Sequence, residues 1–324
     1  MYKRVESKEQ SLKNFYTLIE QIGQGAFGLV YKAIKKDSGA TYAIKSIDKS
    51  TLSQDEVAGL QLEVEIISQV DHPNIVRAFE FYDEPKHLHV VMEEMGGGEL
   101  FERIVEKEYY SEQEASITIR PVIDAIKYCH ELNVVHRDLK PENMLYSSFD
   151  TDGIVKITDF GLARFYDDDL MTTACGTPSY VAPEILNGTG YGIEVDYWSI
   201  GVILYTMLCG FLPFNEDTNE ALFEKIKSCD YSFPSPDWDG VSDMAKDLVV
   251  RCLKLNPKER ITAAEMLRHP WILGENTPKN NMPIVAGKIR EYNARRKFRK
   301  YGNTALASNK FMSIINSKKN EGNN

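Results

Sequence analysis

The 324-residue sequence has few cysteines, no long apolar run and no apolar segment near its first residues. Its five cysteines are scattered without paired spacing, which argues against a disulfide framework or zinc site and predicts a cytoplasmic protein in a reducing compartment. The longest apolar stretch, residues 197–209, is shorter than the roughly 20 residues of a membrane span and includes polar residues. We therefore expect a buried helix there and no membrane span. No secretory signal is visible, and Tyr2 after the initiator methionine excludes N-myristoylation.

Charge is distributed unevenly along the chain. The net charge is −10, yet residues 284–324 carry ten Lys or Arg and two Glu, a net of +8 that leaves −18 for the remainder. An acidic body with a basic tail argues against nucleic-acid binding. This balance suits a body that handles basic peptides, and a tail that folds onto that body or binds an acidic partner.

The order of predicted elements indicates an α+β protein with two lobes. Strand-like alternation and one helical pattern occupy residues 16–92, and helical patterns dominate after three glycines at residues 96–98. The predicted strands are residues 16–22, 28–34, 41–47, 75–82 and 88–92, and the predicted helices include residues 54–70, 195–208, 219–228, 243–252 and 263–267. We expect a small β-rich lobe, a short hinge and a larger helical lobe. The polar residues before about position 13 are expected to be loose.

A glycine-rich segment follows the first predicted strand. Gly23, Gly25 and Gly28 form a G-x-G-x-x-G-x-V pattern that ends at Val30. In a dinucleotide-binding fold a helix follows such glycines directly, whereas here a strand follows and the next strand carries Lys45. The pattern therefore favours a flexible hairpin whose amides cover the phosphates of ATP while Lys45 reaches the α- and β-phosphates.

A second motif concentrates the groups that phosphoryl transfer requires. Residues 136–143 read His-Arg-Asp-Leu-Lys-Pro-Glu-Asn, and Asp-Phe-Gly stands at residues 159–161. Together they supply Asp138 as an acid that can accept a hydroxyl proton, Lys140, and two oxygen ligands for Mg²⁺. Phosphoryl transfer depends mainly on positioning and charge neutralisation, so these residues predict the reaction type.

In its motifs and their order, the chain resembles the eukaryotic protein kinases over residues 15–273. The motifs that complete the resemblance are Ala-Ile-Lys at 43–45, Ala-Pro-Glu at 182–184 and Asp-x-Trp-Ser at 196–199. The resemblance implies a bilobal kinase fold. The implied division is an N-terminal extension at 1–14, an N-terminal lobe at 15–92, a hinge at 93–95, a C-terminal lobe at 96–273 and a regulatory tail at 274–324.

The resemblance also implies a role for each residue of the predicted site. Asp138 is the base that orients the substrate hydroxyl. Lys140 lies near the transferred phosphate and indicates Ser/Thr rather than Tyr specificity. Asn143 and Asp159 hold Mg²⁺. The nucleotide-binding residues implied by the family pattern are Ile22, Gly23, Gly25, Gly28, Val30, Ala43, Lys45, Met92, Glu93 and Met95.

The family pattern places an acid on the helix of the N-terminal lobe as the partner of Lys45. Glu63 fits because it stands nine residues before a His-Pro-Asn at residues 72–74. Glu65 competes, but it lies about 200° further around a helix, so only one of the two carboxylates can face the site. Nothing essential to catalysis is substituted, which argues against the alternative of a non-catalytic scaffold.

Two acids and one threonine are implied in substrate binding and regulation. Glu99 and Glu142 stand where kinases directed to basic peptides place acids, which predicts an arginine three residues before the phosphorylated Ser or Thr. Thr173 stands at the activating site of the calcium/calmodulin-dependent kinases, where a phosphate would pair with Arg137. A kinase that is constitutive, or activated by Thr173 phosphorylation alone, is the alternative to calmodulin control.

The tail resembles the autoinhibitory and calmodulin-binding segments of calcium/calmodulin-dependent kinases, with type I and myosin-light-chain-kinase-like enzymes the nearer match. Residues 288–300 are basic with interleaved apolar residues, and two phenylalanines thirteen residues apart have the spacing of calmodulin anchors. The implied calmodulin-binding residues are Arg295, Arg296, Lys297, Phe298 and Phe311. Two departures are Gly302, which costs about 1 kcal/mol of helix, and Val285, where type II enzymes carry a phosphorylated threonine. A membrane-surface segment, a nuclear-localisation signal and a plain solvated helix are the alternatives.

The opposite charges of tail and body predict a regulated enzyme. We expect the tail to pack on the large lobe and block peptide or ATP until acidic, calcium-loaded calmodulin removes it. Protein substrates, ATP, Mg²⁺ and calmodulin are thus the expected substrates, cofactor and partner. Because the sequence shows no association domain of the type II enzymes, we expect a monomer.

Overall fold

The computed structural model describes residues 7–8, 10–24, 28–107, 110–166, 171 and 175–297. Four predicted site residues lie outside these ranges, namely Gly25, Thr173, Phe298 and Phe311. The described residues form a small β-rich lobe followed by a larger helical lobe, so the predicted α+β class and order of elements are confirmed.

The N-terminal lobe is built on one six-stranded sheet. Its strands are β1 (Ser7–Lys8), β2 (Tyr16–Gln24), β3 (Gly28–Lys35), β4 (Thr41–Asp48), β5 (Ala78–Asp83) and β6 (His87–Met92). They lie in the order β1-β5-β6-β4-β3-β2, and only the β1–β5 pair is parallel. Helix α1 (Gln54–Gln69) begins at a capping box in which Ser53 and Glu56 each accept the other's backbone N–H, which fixes where the helix starts.

Two expectations for this lobe are wrong. The sequence predicts that residues up to about 13 are loose, but among those that are described Leu12 is buried and its N–H donates to Glu84, and β1 lengthens the sheet. The predicted strand 75–82 begins three residues late, at β5. The reason is that Ile75 pairs with Ile157 of the C-terminal lobe instead, which ties the two lobes together behind the site.

The C-terminal lobe packs helices around one that is buried on every side. Its helices are α2 (Leu100–Glu106), α3 (Glu112–Glu131), α4 (Pro183–Asn187), α5 (Glu194–Cys209), α6 (Asn219–Ser228), α7 (Asp243–Cys252), α8 (Ala263–Met266) and α9 (Pro270–Leu273). Four short strands, β7 (Val134–Val135), β8 (Met144–Tyr146), β9 (Val155–Ile157) and β10 (Arg164–Phe165), pair as β7–β10 and β8–β9. In α5 all residues but the first are buried, as its apolar sequence predicts. Within the described ranges, no helix has the length and apolarity needed to cross a membrane.

The tail continues into a further helix, α10, which is described over residues 283–297. Val285 and Ile289 of α10 are buried against the C-terminal lobe. The preceding linker is held by backbone hydrogen bonds, from Met282 N–H to the carbonyl of Tyr110 at 2.7 Å and from Gln113 N–H to the carbonyl of Pro278 at 3.1 Å. The tail therefore lies on the lobe rather than extending from it.

Candidate active site

The sheet register gathers the predicted nucleotide-binding side chains on one face. Directly opposed residues of neighbouring strands share a face, and so do residues two apart along a strand. Val30 of β3 is opposite Lys45 of β4, and Ala43 is opposite Met92 of β6. Lys45 and Ala43 are two residues apart, so all four side chains lie on the same side of the sheet.

The glycine-rich hairpin is described up to its tip. Gly23 pairs with Val30 across β2 and β3, and the neighbouring Ile22 remains 46% exposed, which leaves it available to cover a ligand. Glycine is also required at position 28 for packing, because a Cβ there would lie 2.4 Å from the carbonyl oxygen of Ser46 on β4. Only glycine permits this close approach of the hairpin to the sheet.

The carboxylate of Glu93, in the predicted hinge, is already bound by two other residues of the protein. Its carboxylate accepts the ammonium of Lys156 at 2.8 Å through both oxygens, and the N–H of Arg77 at 2.7 Å. Lys156 belongs to the C-terminal lobe and Arg77 to the N-terminal lobe. The Glu93 side chain thus bridges the lobes. A nucleotide would therefore contact Glu93 through its backbone, as is also predicted for Met95.

Lys45 lies between two acids at the junction of the lobes. Its ammonium donates to Glu63 of α1 at 2.6 Å and to Asp159 at 3.3 Å, and Lys45 and Glu63 are both buried. The choice of Glu63 over Glu65 is therefore the one that the geometry supports. Burial alone lowers the pKa of Lys45, but the two carboxylates raise that pKa by more than burial lowers it, so the lysine is charged.

Asp159 is placed and ionised as a metal ligand would need to be. Burial alone raises the pKa of its carboxyl, but the charge and hydrogen bond of Lys45 lower it below its usual range. The residue has a φ of 58°, an uncommon backbone conformation outside glycine. The next residue, Phe160, is fully buried and packs edge-on against His136 with ring centroids 4.9 Å apart, which holds the turn in place.

The predicted base Asp138 is held by three side chains. Lys140 donates to Asp138 Oδ2 at 2.6 Å, Thr177 donates to Oδ1 at 2.8 Å, and Lys140 also donates to Thr177 at 2.9 Å. Asn143 donates its amide hydrogens to the Asp138 carbonyl at 2.9 Å and to Oδ2 at 3.2 Å. These hydrogen bonds fix the orientation of Asp138. Because the NH₂ group of Asn143 donates to Asp138, the amide oxygen of Asn143, the atom that can bind Mg²⁺, is not used in these contacts.

Asp196, at the start of α5, anchors the loop that carries Asp138. Its carboxylate is fully buried and accepts the backbone N–H groups of His136 and Arg137, each at 2.9 Å, and the ring of His130 at 2.8 Å. Arg137 has a φ of 68°, so this anchor holds a strained backbone. The sequence shows Asp196 only as part of a motif, because its partners lie 59 to 66 residues earlier in the chain.

We expect Asp196→Ala to lower the free energy of unfolding by about 3 kcal/mol, since two buried N–H groups lose their acceptor. Burial alone raises the pKa of Asp196, but the hydrogen bond and charge of His130 lower it, so this contribution is present at neutral pH and is lost as pH falls through the folded-state pKa. Urea unfolding measures the change, with Asp152→Ala in an exposed turn as the control. A loss below about 1 kcal/mol would contradict this anchoring role.

Arg137 is buried beside the start of the segment that contains Thr173. Its guanidinium donates to the carbonyl of Leu162 at 2.6 Å and to the hydroxyl of Tyr191 at 2.7 Å. Arg137 is therefore already ordered by neighbours within the described residues. A phosphate at Thr173, outside those residues, stays a prediction.

The two acids predicted to bind substrate are occupied by the tail. Arg296 of α10 contacts Glu99 through one guanidinium nitrogen and lies 3.2 Å from Glu142 through another. Lys297 donates to Glu102 of α2 at 2.5 Å. Of the predicted calmodulin-binding residues that are described, Arg296 and Lys297 thus contact the lobe, whereas Arg295 is exposed.

Further contacts seat α10 next to these acids. The hydroxyl of Tyr292 lies 2.9 Å from that of Tyr180, in the segment after Thr177, and the Tyr292 ring packs edge-on against Phe101. Lys288 forms an ion pair with Asp237. The helix therefore covers the surface around Glu99, Glu142 and Tyr180 with both apolar and charged contacts.

Comparisons with known proteins agree with the geometry. A model of the protein kinase domain matches residues 16–272. The chain is 46% identical over 282 residues to myosin light chain kinase A of Dictyostelium discoideum, covering 87% of this chain and 95% of that protein. It is 42% identical over 316 residues to rat calcium/calmodulin-dependent protein kinase type IV, covering 97% and 66%, and 43% identical over 299 residues to the type 1 enzyme of Caenorhabditis elegans, covering 92% and 86%. The chain therefore belongs to the protein kinase family, in the group of calcium/calmodulin-dependent and myosin light chain kinases, and is a protein serine/threonine kinase.

Proposed function

We propose that this kinase transfers the γ-phosphoryl group of ATP to Ser or Thr residues of basic peptide segments in cytoplasmic proteins. In this proposal Asp138 orients and accepts the proton of the attacking hydroxyl, and Lys140 stabilises charge on the transferred group. Lys45, fixed by Glu63, holds the α- and β-phosphates. The hydrogen bonds around Asp138 support its role, because they fix the carboxylate in the orientation that a base requires.

The metal site fits Mg²⁺. Asn143 and Asp159 would hold the ion, and the ion would supply positive charge that neutralises the phosphates during transfer. One carboxylate and one amide oxygen form too small a set for a protein-only cage, and Mg²⁺ typically completes its shell with water and phosphate oxygens. The described residues hold no cluster of three or more His, Cys, Asp or Glu that could bind a metal.

The observation that carries the substrate proposal is the position of Arg296 between Glu99 and Glu142. A guanidinium with two carboxylates is the arrangement expected for a bound substrate arginine. Burial alone lowers the pKa of Arg296, but the two acids raise it, which supports a charged side chain at this position. We infer that an arginine three residues before the acceptor binds in the same place.

The same contact supports autoinhibition directed at the peptide site. The tail occupies the acids proposed to hold the substrate, while Lys45, Glu63 and Asp159 keep their ion pairs. Between the alternatives of blocked peptide and blocked ATP, α10 therefore favours a block of peptide binding. The relatives named for calcium and calmodulin support calcium-loaded calmodulin as the acidic partner that removes the tail.

The experiment is a peptide kinase assay on the full-length chain with and without Ca²⁺/calmodulin. We expect little transfer to an Arg-containing Ser peptide without calmodulin, an increase of at least tenfold with it, and no transfer by Asp159→Asn. Nucleotide binding should be equal in the two conditions, because the Lys45 ion pairs are formed with the tail in place.

Other outcomes of this assay separate the remaining candidates. Full activity without calmodulin would overturn autoinhibition. Activity that follows Thr173 phosphorylation and ignores calmodulin would favour the phosphorylation-only alternative. Absence of transfer under every condition would leave only a nucleotide-binding scaffold.

A further inference from the structure

The guanidinium of Arg137 is a buried positive charge beside the predicted base. Arg137 directly precedes Asp138 in the sequence and is itself buried. Its Nε donates to the carbonyl of Leu162 at 2.6 Å, just after the turn that carries Asp159. A buried charge is costly unless hydrogen bonds satisfy it. The acceptors of this guanidinium therefore decide how firmly the loop of Asp138 and the turn of Asp159 are held together.

A further acceptor of this guanidinium is the hydroxyl of Tyr191. Arg137 Nη1 donates to Tyr191 Oη at 2.7 Å, and the same nitrogen lies 4.0 Å from Met171 Sδ, which is a weak acceptor. Burial raises the pKa of Tyr191 to about 12, although the charge of Arg137 lowers it. The phenol is therefore neutral at neutral pH, and it accepts the hydrogen bond of Arg137 without forming an ion pair.

The backbone of Tyr191 is fixed independently of its hydroxyl. Its N–H donates to the carbonyl of Met171 at 2.9 Å, and its carbonyl accepts the N–H of Met171 at 3.0 Å. Tyr191 is only 3% exposed, and its hydroxyl oxygen lies 3.6 Å from Cys175 Sγ. Met171 and Cys175 stand on either side of Thr173 in the sequence. Tyr191 thus connects Arg137 with both flanks of the segment that contains Thr173.

A second arginine lies close to the first. Arg164 donates through Nη1 to the carbonyl of Ala163 at 2.7 Å, and burial together with the charge of Arg137 lowers the pKa of Arg164. The carbonyl and hydroxyl acceptors of these two guanidiniums are neutral. Without a phosphate nearby, neutral oxygens must therefore hold Arg137. Within the described ranges, the side-chain oxygen that does so is that of Tyr191.

We propose that Tyr191 is a positioning residue for phosphoryl transfer, whose hydroxyl holds Arg137, and with it the loop of Asp138, while Thr173 carries no phosphate. The unphosphorylated enzyme is then active. A phosphate on Thr173 adds a charged acceptor for the same guanidinium rather than the first one. This inference rests on the proposed roles of Asp138 and Thr173.

The test compares full-length chains that are treated with phosphatase and assayed with saturating Ca²⁺/calmodulin, so that the tail does not limit the rate. Tyr191→Phe removes the hydroxyl and keeps the ring and the backbone pairing with Met171. We expect kcat for a Ser peptide to fall about tenfold, because a buried charge loses a hydrogen-bond acceptor. KM for ATP should stay within about twofold of the unmodified value, since the Lys45 ion pairs are untouched.

Tyr205→Phe is the matched control. Tyr205 is a buried tyrosine of α5 whose hydroxyl donates to the carbonyl of Ser232 at 2.8 Å, so the variant loses a comparable hydrogen bond in the interior of the C-terminal lobe. It should keep the kcat of the unmodified enzyme. A loss of kcat in Tyr191→Phe that is no larger than in Tyr205→Phe would overturn the inference.

Two further variants show whether Tyr191 acts through Arg137. In an Arg137→Met background, Tyr191→Phe should cause no additional loss of kcat, whereas a role in packing would give an additive loss and overturn the inference. Thr173→Glu places a carboxylate in the segment next to Arg137 and should restore most of the kcat lost in Tyr191→Phe. Rescue by a negative charge is a result that a merely structural role would not produce.

The remaining outcomes separate this inference from the proposals on which it rests. If the loss in Tyr191→Phe depends on Arg137 but Thr173→Glu restores nothing, the role of Tyr191 is supported and the pairing of Arg137 with a phosphate at Thr173 is refuted. An unmodified enzyme that is active only when Thr173 is phosphorylated would overturn the inference. An unmodified enzyme that is inactive in both states would instead refute the proposed function.

Discussion

Asp138→Asn should lower kcat by about 10²- to 10⁴-fold, the contribution typical of general acid–base catalysis. The asparagine keeps the size of the side chain but cannot accept the substrate proton as a carboxylate does. It also removes the charge that meets Lys140 at 2.6 Å. Initial rates of peptide phosphorylation at saturating ATP measure the change.

The variant must be shown to fold and to bind nucleotide. We expect an unfolding midpoint within a few degrees of the unmodified enzyme and an unchanged ATP affinity, because Lys45, Glu63 and Asp159 are untouched. Asp152→Asn, in the exposed turn between β8 and β9, is the matched control and should retain full activity. A loss of less than tenfold in Asp138→Asn would assign the proton transfer elsewhere.

Arg296→Glu should raise calcium-independent activity at least tenfold. The change removes two ion pairs and places a third acid beside Glu99 and Glu142. Loss of a partly buried charge pair costs about 2–5 kcal/mol, which shifts the docking equilibrium of α10 by roughly 30-fold or more. Peptide phosphorylation without calcium measures this shift, and KM for the peptide should fall more than KM for ATP.

One control variant and two truncated chains distinguish the effect of the Arg296 charge from the effect of the presence of α10. Arg290→Glu makes the same change in charge on the exposed side of α10 and should leave the enzyme inhibited. A chain that ends at Lys297 keeps the docked helix and should also stay inhibited, whereas one that ends at Asn281 should be active without calcium. Equal calcium-independent activity of all these chains would show that α10 does not control the site.

The sequence predicts those parts of the structure that depend on local pattern. Alternation places most strands within one or two residues. The helical step from Glu63 to Glu65 allows only one of these acids to meet Lys45, and the family's spacing to the His-Pro-Asn at residues 72–74 selects Glu63. Contacts between distant segments are not predictable in this way. The anchoring of residues 136–137 by Asp196 depends on how α5 packs beneath the loop, which no spacing reveals.

The tail shows the same limit. Its basic residues predict attraction to an acidic surface, but charge alone does not say which cation meets which acid. That choice follows from the burial of Val285 and Ile289, which sets the rotation of α10 on the lobe. The pairing of Lys297 with Glu102, and the strand added by β1, likewise arise only when segments far apart in sequence are brought together.

The backbone hydrogen bonds of the linker have a kinetic consequence for the proposed switch. Pro278 and Met282 are tied to the C-terminal lobe by main-chain contacts that the charges of α10 do not influence. A released α10 would therefore stay tethered a few residues from its seat, at an effective concentration on the order of millimolar. Return to the inhibited form is then unimolecular, and its rate does not depend on how much of the enzyme a cell contains.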